Sequence, residues 1–202
     1  FHAGVYGNAP PDVRGRDVVM VDFSYQRPVL LEMAAEAKTI TILDHHKTAA
    51  EQLVDLPANV IVRFDMERSG AMLAWEHFFP NEAPPPLLLH IEDRDLWRFA
   101  LANTREIQAN VFSYPYDFQV WDELMATDVA QLVSEGQAIE RKHHKDIAEL
   151  LKVVAREMEI GGHRVPVANL PYTLTSDAGH AMAQGRAFAA CYWDTPDGRV
   201  FS

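Results

Sequence analysis

The strongest constraint on the fold is a pair of apolar runs that flank one helical segment. The runs Asp17–Asp22 and Thr39–Asp44 are rich in β-branched residues, and both end at an acid. Between them, Val29–Ala37 carries the Leu, Met, Glu and Ala typical of a helix, and Pro28 suits its first turn. Strand, helix and strand in this order form a βαβ unit, so we predict two parallel strands. The unbroken apolar first run predicts burial on both faces of its strand.

Further helices and a second, smaller domain are predicted after this unit. Another strand is expected over residues 60–64, and helices over residues 69–78, 87–92, 104–112 and 118–125. Between Asp128 and Met158, apolar residues recur at helical spacing without a proline, which predicts one long helix. After Gly161–Gly162, which we interpret as a turn, short strand-like runs indicate a small mixed domain.

The predicted fold class is therefore α/β, with a mainly parallel sheet domain joined by a long helix to a smaller α+β domain. The predicted boundaries are 1–126 for the first domain, 127–160 for the linking helix and 161–202 for the start of the second domain. The chain opens at Phe1 without a Met and ends where Arg199–Phe201 begins to resemble a strand. We therefore expect the natural protein to continue beyond both ends.

Charge and cysteine content restrict the class of partner. The formal net charge of −11 argues against a broad surface that grips nucleic acid by neutralising phosphates. It leaves room for a small phosphorylated substrate or a short single strand, because bound divalent cations can supply positive charge locally. The single cysteine, Cys191, excludes an internal disulfide. Together with the lack of a secretory or membrane-spanning run, it predicts a cytoplasmic protein.

Ligand-type side chains follow both strands of the βαβ unit. Asp22 ends the first run, and Asp44, His45 and His46 end the second. Because parallel strands present their carboxyl ends at one edge of the sheet, these side chains are expected to converge there. A single Asp at a strand end could instead cap the next turn, so the prediction rests on the convergence. Carboxylates and imidazoles without thiolates suit Mn²⁺, Mg²⁺, Fe²⁺ or Zn²⁺.

A second pair of adjacent histidines, His143–His144, lies in the charged middle of the predicted long helix. Neighbouring residues on a helix point about 100° apart, so these two cannot share a metal ion. We interpret them as part of a solvated helix face.

Three motifs together resemble the DHH family of phosphoesterases. Ile42–Lys47, with its Asp-His-His, looks like the motif that names the family, and Val19–Ser24 is similar to the preceding acidic motif. His90–Trp97 looks like the later aspartate motif, and the three occur in the family's order. The long helix and small mixed domain resemble the family's two-lobed arrangement, with a DHH-like catalytic domain and a DHHA1-type substrate-binding domain.

The resemblance implies specific roles at these positions. Asp22 would bridge two metal ions, His45 would bind one of them, and Asp93 or Asp95 would complete a site. Asp44 would orient the loop or His45, and catalytic His46 would face the phosphate. The implied activity is hydrolysis of phosphodiester bonds in short oligonucleotides or small nucleotides by a metal-activated water, with Mn²⁺ as the expected cofactor.

Substrate contacts are expected from basic residues near these motifs. Lys47 follows His46 directly, so we consider it a phosphate contact. Arg94 and Arg98 flank the aspartate motif and could contact a phosphate or pair with Asp93 and Asp95. A homodimer stays open as a further alternative, and the apolar runs, which are too short to span a bilayer, predict no membrane partner.

The sequence departs from the family at two motifs. The family's first motif, a His with two Asp, and its C-terminal glycine-rich motif are not found in this chain. Two alternatives therefore stay open beside the phosphodiesterase. One is a pyrophosphatase-like phosphoanhydride hydrolase, and the other is a non-catalytic nucleotide-binding module.

Overall fold

The two apolar runs around the first helix form neighbouring parallel strands. In the computed structural model, which describes residues 1–202, β1 is Asp17–Val21, α1 is Arg27–Glu36 and β2 is Thr39–Asp44. A third parallel strand, β3 (Val60–Phe64), pairs with the other side of β2, so the sheet order is β1-β2-β3. The predicted βαβ unit and its third strand are confirmed.

The central strand of this sheet carries most of its core. Ile40 and Ile42 of β2 are fully buried and cluster with Leu30 and Met33 of α1. Burying a side chain of this size stabilises a fold by roughly 1.5–3 kcal/mol. This packing fixes where β2 ends, and therefore where the side chains that follow it lie.

Burial of the first strand on both faces was a wrong prediction. Val19 and Val21 are 41% and 45% exposed, and they point to the same side of β1. The physical reason is that α1 covers only the opposite side of β1, where Met20 packs.

The remaining helices of the first unit follow the predicted segments closely. Their bounds are Lys47–Gln52 for α2, Gly70–Phe78 for α3, Pro86–Asp95 for α4, Thr104–Val111 for α5 and Phe118–Ala126 for α6. Only α2 lies outside the predicted helices. A second core cluster joins α4, α5, α6 and the start of the next helix, through Leu87, Ile107, Val111, Leu124 and Leu132.

The long helix, α7, is Val129–Val154, shorter than the predicted 127–160. Residues 156–160 instead form a strand, β4 (Arg156–Ile160), which pairs antiparallel with β5 (His163–Asn169). Gly161 and Gly162 between them both have positive φ, 59° and 80°, as the tightest hairpin turns require. This turn allows residues 156–160 to pair with β5, so the helix cannot continue through them.

The structure divides into two compact units, Phe1–Val133 and Ser134–Ser202. The second unit is a four-stranded mixed sheet, in the order β4-β5-β6-β7, with one further helix. The later elements are a 3₁₀ turn at Tyr172–Leu174, α8 at Thr175–Ala183, β6 at Ala190–Thr195 and β7 at Gly198–Phe201. The chain is thus an α/β protein with one parallel and one mixed sheet.

Cys191 lies inside the second unit. It is buried in a cluster with Ile147, Ala168, Leu170 and Ala178. Burial raises the pKa of its thiol, which keeps the sulfur protonated and unreactive.

Candidate metal centre

The side chains that follow β1 and β2 converge at one edge of the parallel sheet. The Asp22 backbone N–H donates to the Leu43 carbonyl at 2.9 Å, which continues the strand pairing to the last residue. Oδ1 of Asp22 then lies 3.1 Å from Nε2 of His45. One ligand atom each from Asp22, His45 and His46 lies within 4.8 Å of the other two. The predicted convergence of these three residues is confirmed.

Asp22 reaches this position through an unusual backbone conformation. Its φ is 53°, in the left-handed region that costs a non-glycine residue about 1–2 kcal/mol and that Asp tolerates better than most. In this conformation the carboxylate reaches the ring of His45, which follows β2. Conformational strain of this kind persists where the surrounding structure holds it.

Gly70, the first residue of α3, provides the space for Asp22. A β-carbon added at Gly70 would lie 2.3 Å from Cβ and 2.6 Å from Cγ of Asp22, closer than real contacts allow. Sequence reasoning noticed Ser69 and Gly70 only as a helix start, and Ser69 does cap α3 by accepting from the Met72 N–H. The close approach to Asp22 is a tertiary contact, so no local signal could have revealed it.

Asp44 is fully buried and binds the loop that carries His45 and His46, called the histidine loop below. Its Oδ1 accepts hydrogen bonds from the backbone N–H groups of His45 and His46, at 2.8 and 3.2 Å. The same oxygen lies 2.6 Å from Nδ1 of His46, and Ser24 Oγ donates to Oδ2 at 3.1 Å. Asp44 therefore orients the loop and the ring of His46; the ring of His45 is not its partner.

This contact sets the tautomer and basicity of His46. With Nδ1–H donating to Asp44, Nε2 is left to face outward from a half-exposed ring. The hydrogen bond to Asp44 raises the pKa of His46 above its ordinary value, and the lowering effect of partial burial is smaller. His46 is thus both positioned and made more basic by the buried carboxylate.

Asp95, at the end of α4, is the fourth group at this edge. Its Oδ2 lies 3.5 Å from Nε2 of His45, so two carboxylates flank that imidazole. Burial and then the negative charge of Asp95 raise the pKa of Asp22. Two acids this close repel each other, and a divalent cation between them would relieve that repulsion.

Asp93 is occupied elsewhere and lies apart from this group. Its carboxylate accepts from the N–H groups of Ala100 and Leu101, at 2.8 and 3.1 Å, and from the Thr104 hydroxyl at 2.6 Å. Burial raises the pKa of Asp93, but these three hydrogen bonds outweigh it, and the pKa lies below its ordinary value. Asp93 therefore closes the loop after α4, and Asp95 is the acid placed beside His45.

Glu92 ties α4 to the start of α3, a role that sequence reasoning missed. Its buried carboxylate accepts from the Ser69 N–H at 3.1 Å and pairs with Arg68 at 3.2 Å. Since Ser69 precedes Gly70, this tether holds the helix end that accommodates Asp22. The three acids of the aspartate motif therefore have different roles. Glu92 and Asp93 accept hydrogen bonds from backbone N–H groups, and Asp95 lies beside His45.

The basic residues near the motifs contact other partners. Lys47 begins α2 and pairs with Glu51 at 3.8 Å. The guanidinium of Arg94 lies 4.7 Å from the ring centre of Phe112. Arg98 donates to the carbonyl and the carboxylate of Glu67, at 2.8 and 3.0 Å. The guanidinium of Arg98 also lies 3.9 Å from Glu92, and its backbone N–H donates to the Asp93 carbonyl at 2.8 Å. The side chains of Arg94 and Arg98 therefore contact Phe112, Glu67 and Glu92 rather than the carboxylates of Asp93 and Asp95.

Comparison with known proteins finds a similar viral protein but does not assign the chain to a family. No protein-family model matches the chain. A protein of Acanthamoeba polyphaga mimivirus, named Uncharacterized protein R106, is 28% identical over 188 residues. The aligned segment covers 90% of this chain and 44% of the viral protein, so the chain spans less than half of that relative's length. The DHH resemblance therefore stays a prediction carried by its motifs.

None of the helices combines the length and the apolar character that crossing a bilayer requires.

Proposed function

We propose that this chain is the core of a metal-dependent phosphoesterase that resembles the DHH family. The observation that supports this most directly is the grouping of Asp22, His45 and His46 within 4.8 Å at the carboxyl edge of parallel strands, with Asp95 beside His45. Oxygen and nitrogen donors in this combination suit Mn²⁺, and Mg²⁺, Fe²⁺ and Zn²⁺ are the other candidates. In this proposal the first unit is the DHH-like catalytic domain and the second begins a DHHA1-type domain.

The groups at this edge of the sheet suit a divalent cation both in their negative charge and in their ligand atoms. Asp22 and Asp95 bring two carboxylates to one imidazole nitrogen, and burial disfavours the charged form of Asp22. Asp22, His45 and Asp95 would hold the cation. A bound cation of this kind lowers the pKa of a water molecule and neutralises the phosphoryl oxygens.

The protein's own residues would orient the substrate and stabilise its charge. His46, held at Nδ1 by Asp44, would direct Nε2 at a phosphate oxygen and donate a hydrogen bond to it when protonated. Asp44 would act through His46 and the loop, because its carboxylate is buried and already accepts four hydrogen bonds. The substrate would be a short oligonucleotide or a small nucleotide.

Metal depletion and repletion test this proposal. The purified protein is stripped of metal, supplied with Mn²⁺ and assayed on bis(p-nitrophenyl) phosphate. We expect turnover to return with Mn²⁺ and to fall by about 100-fold or more in His46→Ala. His144→Ala, which removes an imidazole from α7, is the matched control and should retain full turnover.

The alternatives separate in the same assays. A non-catalytic nucleotide-binding module would show no turnover with any metal and no response to His46→Ala. Product analysis with dinucleotides, cyclic dinucleotides and pyrophosphate then ranks the substrates, and preferential cleavage of pyrophosphate would replace the phosphodiesterase by a phosphoanhydride hydrolase.

A further inference from the structure

Tyr6, near the start of the chain, packs against the strand end that carries Asp22. Its ring contacts the ring of Phe23 at a centre distance of 4.8 Å, and Phe23 directly follows Asp22 in the chain. Gly4 approaches the same ring so closely that an added β-carbon would lie 2.7 Å from Cδ1 of Phe23. This first segment therefore lies against the residue that follows a proposed metal ligand.

A second observation places Tyr6 near the carboxylate that orients His46. Tyr6 and Ser24 line the same small cavity, which has a volume of about 240 Å³. Ser24 Oγ donates to Asp44 at 3.1 Å, and Asp44 in turn binds Nδ1 of His46. Tyr6 therefore approaches the metal centre from the side of Asp44 and His46.

The electrostatics of the Tyr6 phenol agree with this position. Partial burial, and then the negative charges of Asp44 and Asp22, raise the pKa of the phenol. Because the ordinary pKa of tyrosine is about 10, the hydroxyl stays protonated near neutral pH. Tyr6 therefore brings a neutral hydrogen-bond donor to a site whose other nearby groups are mostly carboxylates.

The Tyr6 hydroxyl is available to a substrate. Tyr6 is 65% exposed, whereas Asp44 is fully buried and already accepts four hydrogen bonds from Ser24 and the histidine loop. Asp44 therefore influences the phenol by its charge and leaves the O–H free to donate. Donors held beside a metal ion, where negative charge develops on a phosphoryl group, stabilise that charge.

We propose that Tyr6 is a substrate-binding residue whose hydroxyl donates a hydrogen bond to a phosphoryl oxygen at the metal centre. This inference rests on the proposed phosphoesterase function and adds a residue that none of the three motifs contains. His46 donates to one phosphoryl oxygen when protonated, and Tyr6 donates to another. Because the phenol is neutral, its contribution does not depend on the protonation of His46.

Paramagnetic Mn²⁺ tests the position of Tyr6 without an activity assay. Mn²⁺ broadens the NMR signals of nearby nuclei, so it is titrated into protein whose tyrosine rings carry ¹³C. The Tyr6 signal, assigned from its loss in Tyr6→Phe, should broaden earlier than that of Tyr116, whose ring stacks on Trp121 at 6.1 Å. Asp22→Asn should remove this difference, because it weakens Mn²⁺ binding at the centre.

Phosphate binding tests the role of the hydroxyl. Inorganic phosphate is titrated by calorimetry into the Mn²⁺-loaded protein and into Tyr6→Phe, which keeps the ring on Phe23 and removes only the hydroxyl. We expect Tyr6→Phe to bind phosphate about tenfold more weakly, the loss of one hydrogen bond to a charged group, and to bind Mn²⁺ unchanged. Its KM for bis(p-nitrophenyl) phosphate should rise by a similar factor. Tyr116→Phe, at an 84% exposed tyrosine of the same unit, is the matched control and should change none of these values.

The outcomes separate this inference from the proposed function. Equal broadening of Tyr6 and Tyr116, or full phosphate affinity in Tyr6→Phe, would overturn the role of Tyr6 and leave the phosphoesterase intact. Loss of Mn²⁺ affinity in Tyr6→Phe would also overturn it, because Tyr6 would then support the metal site. An unmodified protein that binds no phosphate with Mn²⁺ present would overturn it as well. Weaker phosphate binding in Tyr6→Phe, by a protein that cleaves no phosphodiester, would keep the contact and refute the phosphoesterase.

Discussion

The chain contains two pairs of adjacent histidines whose rings are arranged alike. The rings of His45 and His46 are 4.9 Å apart at an angle of 71°, and those of His143 and His144 are 5.6 Å apart at 70°. Their surroundings differ. The first pair directly follows a strand of a parallel sheet, whereas the second lies in the middle of α7.

The difference lies in how many groups reach each pair. His143 lies 2.9 Å from Asp177, and His144 lies 2.6 Å from Glu140 one helical turn away, so each ring has its own carboxylate. At the sheet edge, by contrast, Asp22 and Asp95 both approach His45. Two adjacent histidines are therefore not enough for a metal site. Oxygen and nitrogen donors from separate helices and strands must meet at one point.

The two histidine pairs should differ most in their effect on Mn²⁺ affinity. Asp22→Asn keeps the shape of the side chain but removes its charge, and we expect it to weaken Mn²⁺ binding by about 100-fold or more, measured by calorimetry. The double variant His143→Ala/His144→Ala should bind Mn²⁺ as the unmodified protein does. If both variants lost affinity equally, the distinction between the two pairs would fail.

The next effect concerns the glycine that accommodates Asp22. Gly70→Ala places a methyl group against the Asp22 side chain, so we expect a loss of about 1–3 kcal/mol in the free energy of unfolding and weaker Mn²⁺ binding. Urea denaturation and calorimetry measure the two.

Gly179→Ala provides the control for that substitution, on the helix that carries Asp177, the partner of His143. A β-carbon at Gly179 meets nothing within 4 Å, so the helix should gain roughly 0.5–1 kcal/mol. A Gly70→Ala protein as stable and as tight for Mn²⁺ as the unmodified one would show that Asp22 is not held by α3.

A smaller effect is expected in the titration of His46. Its hydrogen bond to Asp44 raises its pKa in the folded protein, so Asp44→Asn should lower that pKa toward about 6.5, measured by NMR without metal. A folded pKa above the unfolded one means that this contact stabilises the protein fully below about pH 6.5 and less as the pH rises through the folded pKa.

Asp93→Asn is the control for this titration, because the Asp93 carboxylate contacts Ala100, Leu101 and Thr104 instead. If Asp93→Asn shifted His46 as much as Asp44→Asn does, the effect would come from overall charge rather than from the hydrogen bond.

The fold around the first histidine pair could be predicted from the sequence, because it depends on local patterns along the chain. The apolar runs and the helix between them predicted the βαβ unit, and its topology predicted that Asp22 would meet His45 and His46. Such patterns depend only on spacing along the chain.

The remaining features depend on tertiary contacts. Asp93 and Asp95 are two residues apart on α4 and point to different sides, but only packing decides which side faces His45. Residues 156–160 follow a helical pattern without a proline, and they form a strand because β5 pairs with them. The exposure of Val19 and Val21 likewise follows from packing, because α1 covers only the opposite side of β1. Whether the chain has DHH-type activity remains a prediction.

Two tyrosines, one in each unit, also differ in their contacts, and here we expect only small changes in stability. In the second unit the Tyr192 hydroxyl accepts from Arg156 at 2.8 Å, whereas in the first unit the buried Tyr25 hydroxyl has no partner in the protein. Tyr192→Phe should therefore cost about 1 kcal/mol, and Tyr25→Phe should gain up to about 1 kcal/mol, read as opposite shifts of a few degrees in Tm. A destabilised Tyr25→Phe protein would instead mean that this hydroxyl supports the fold.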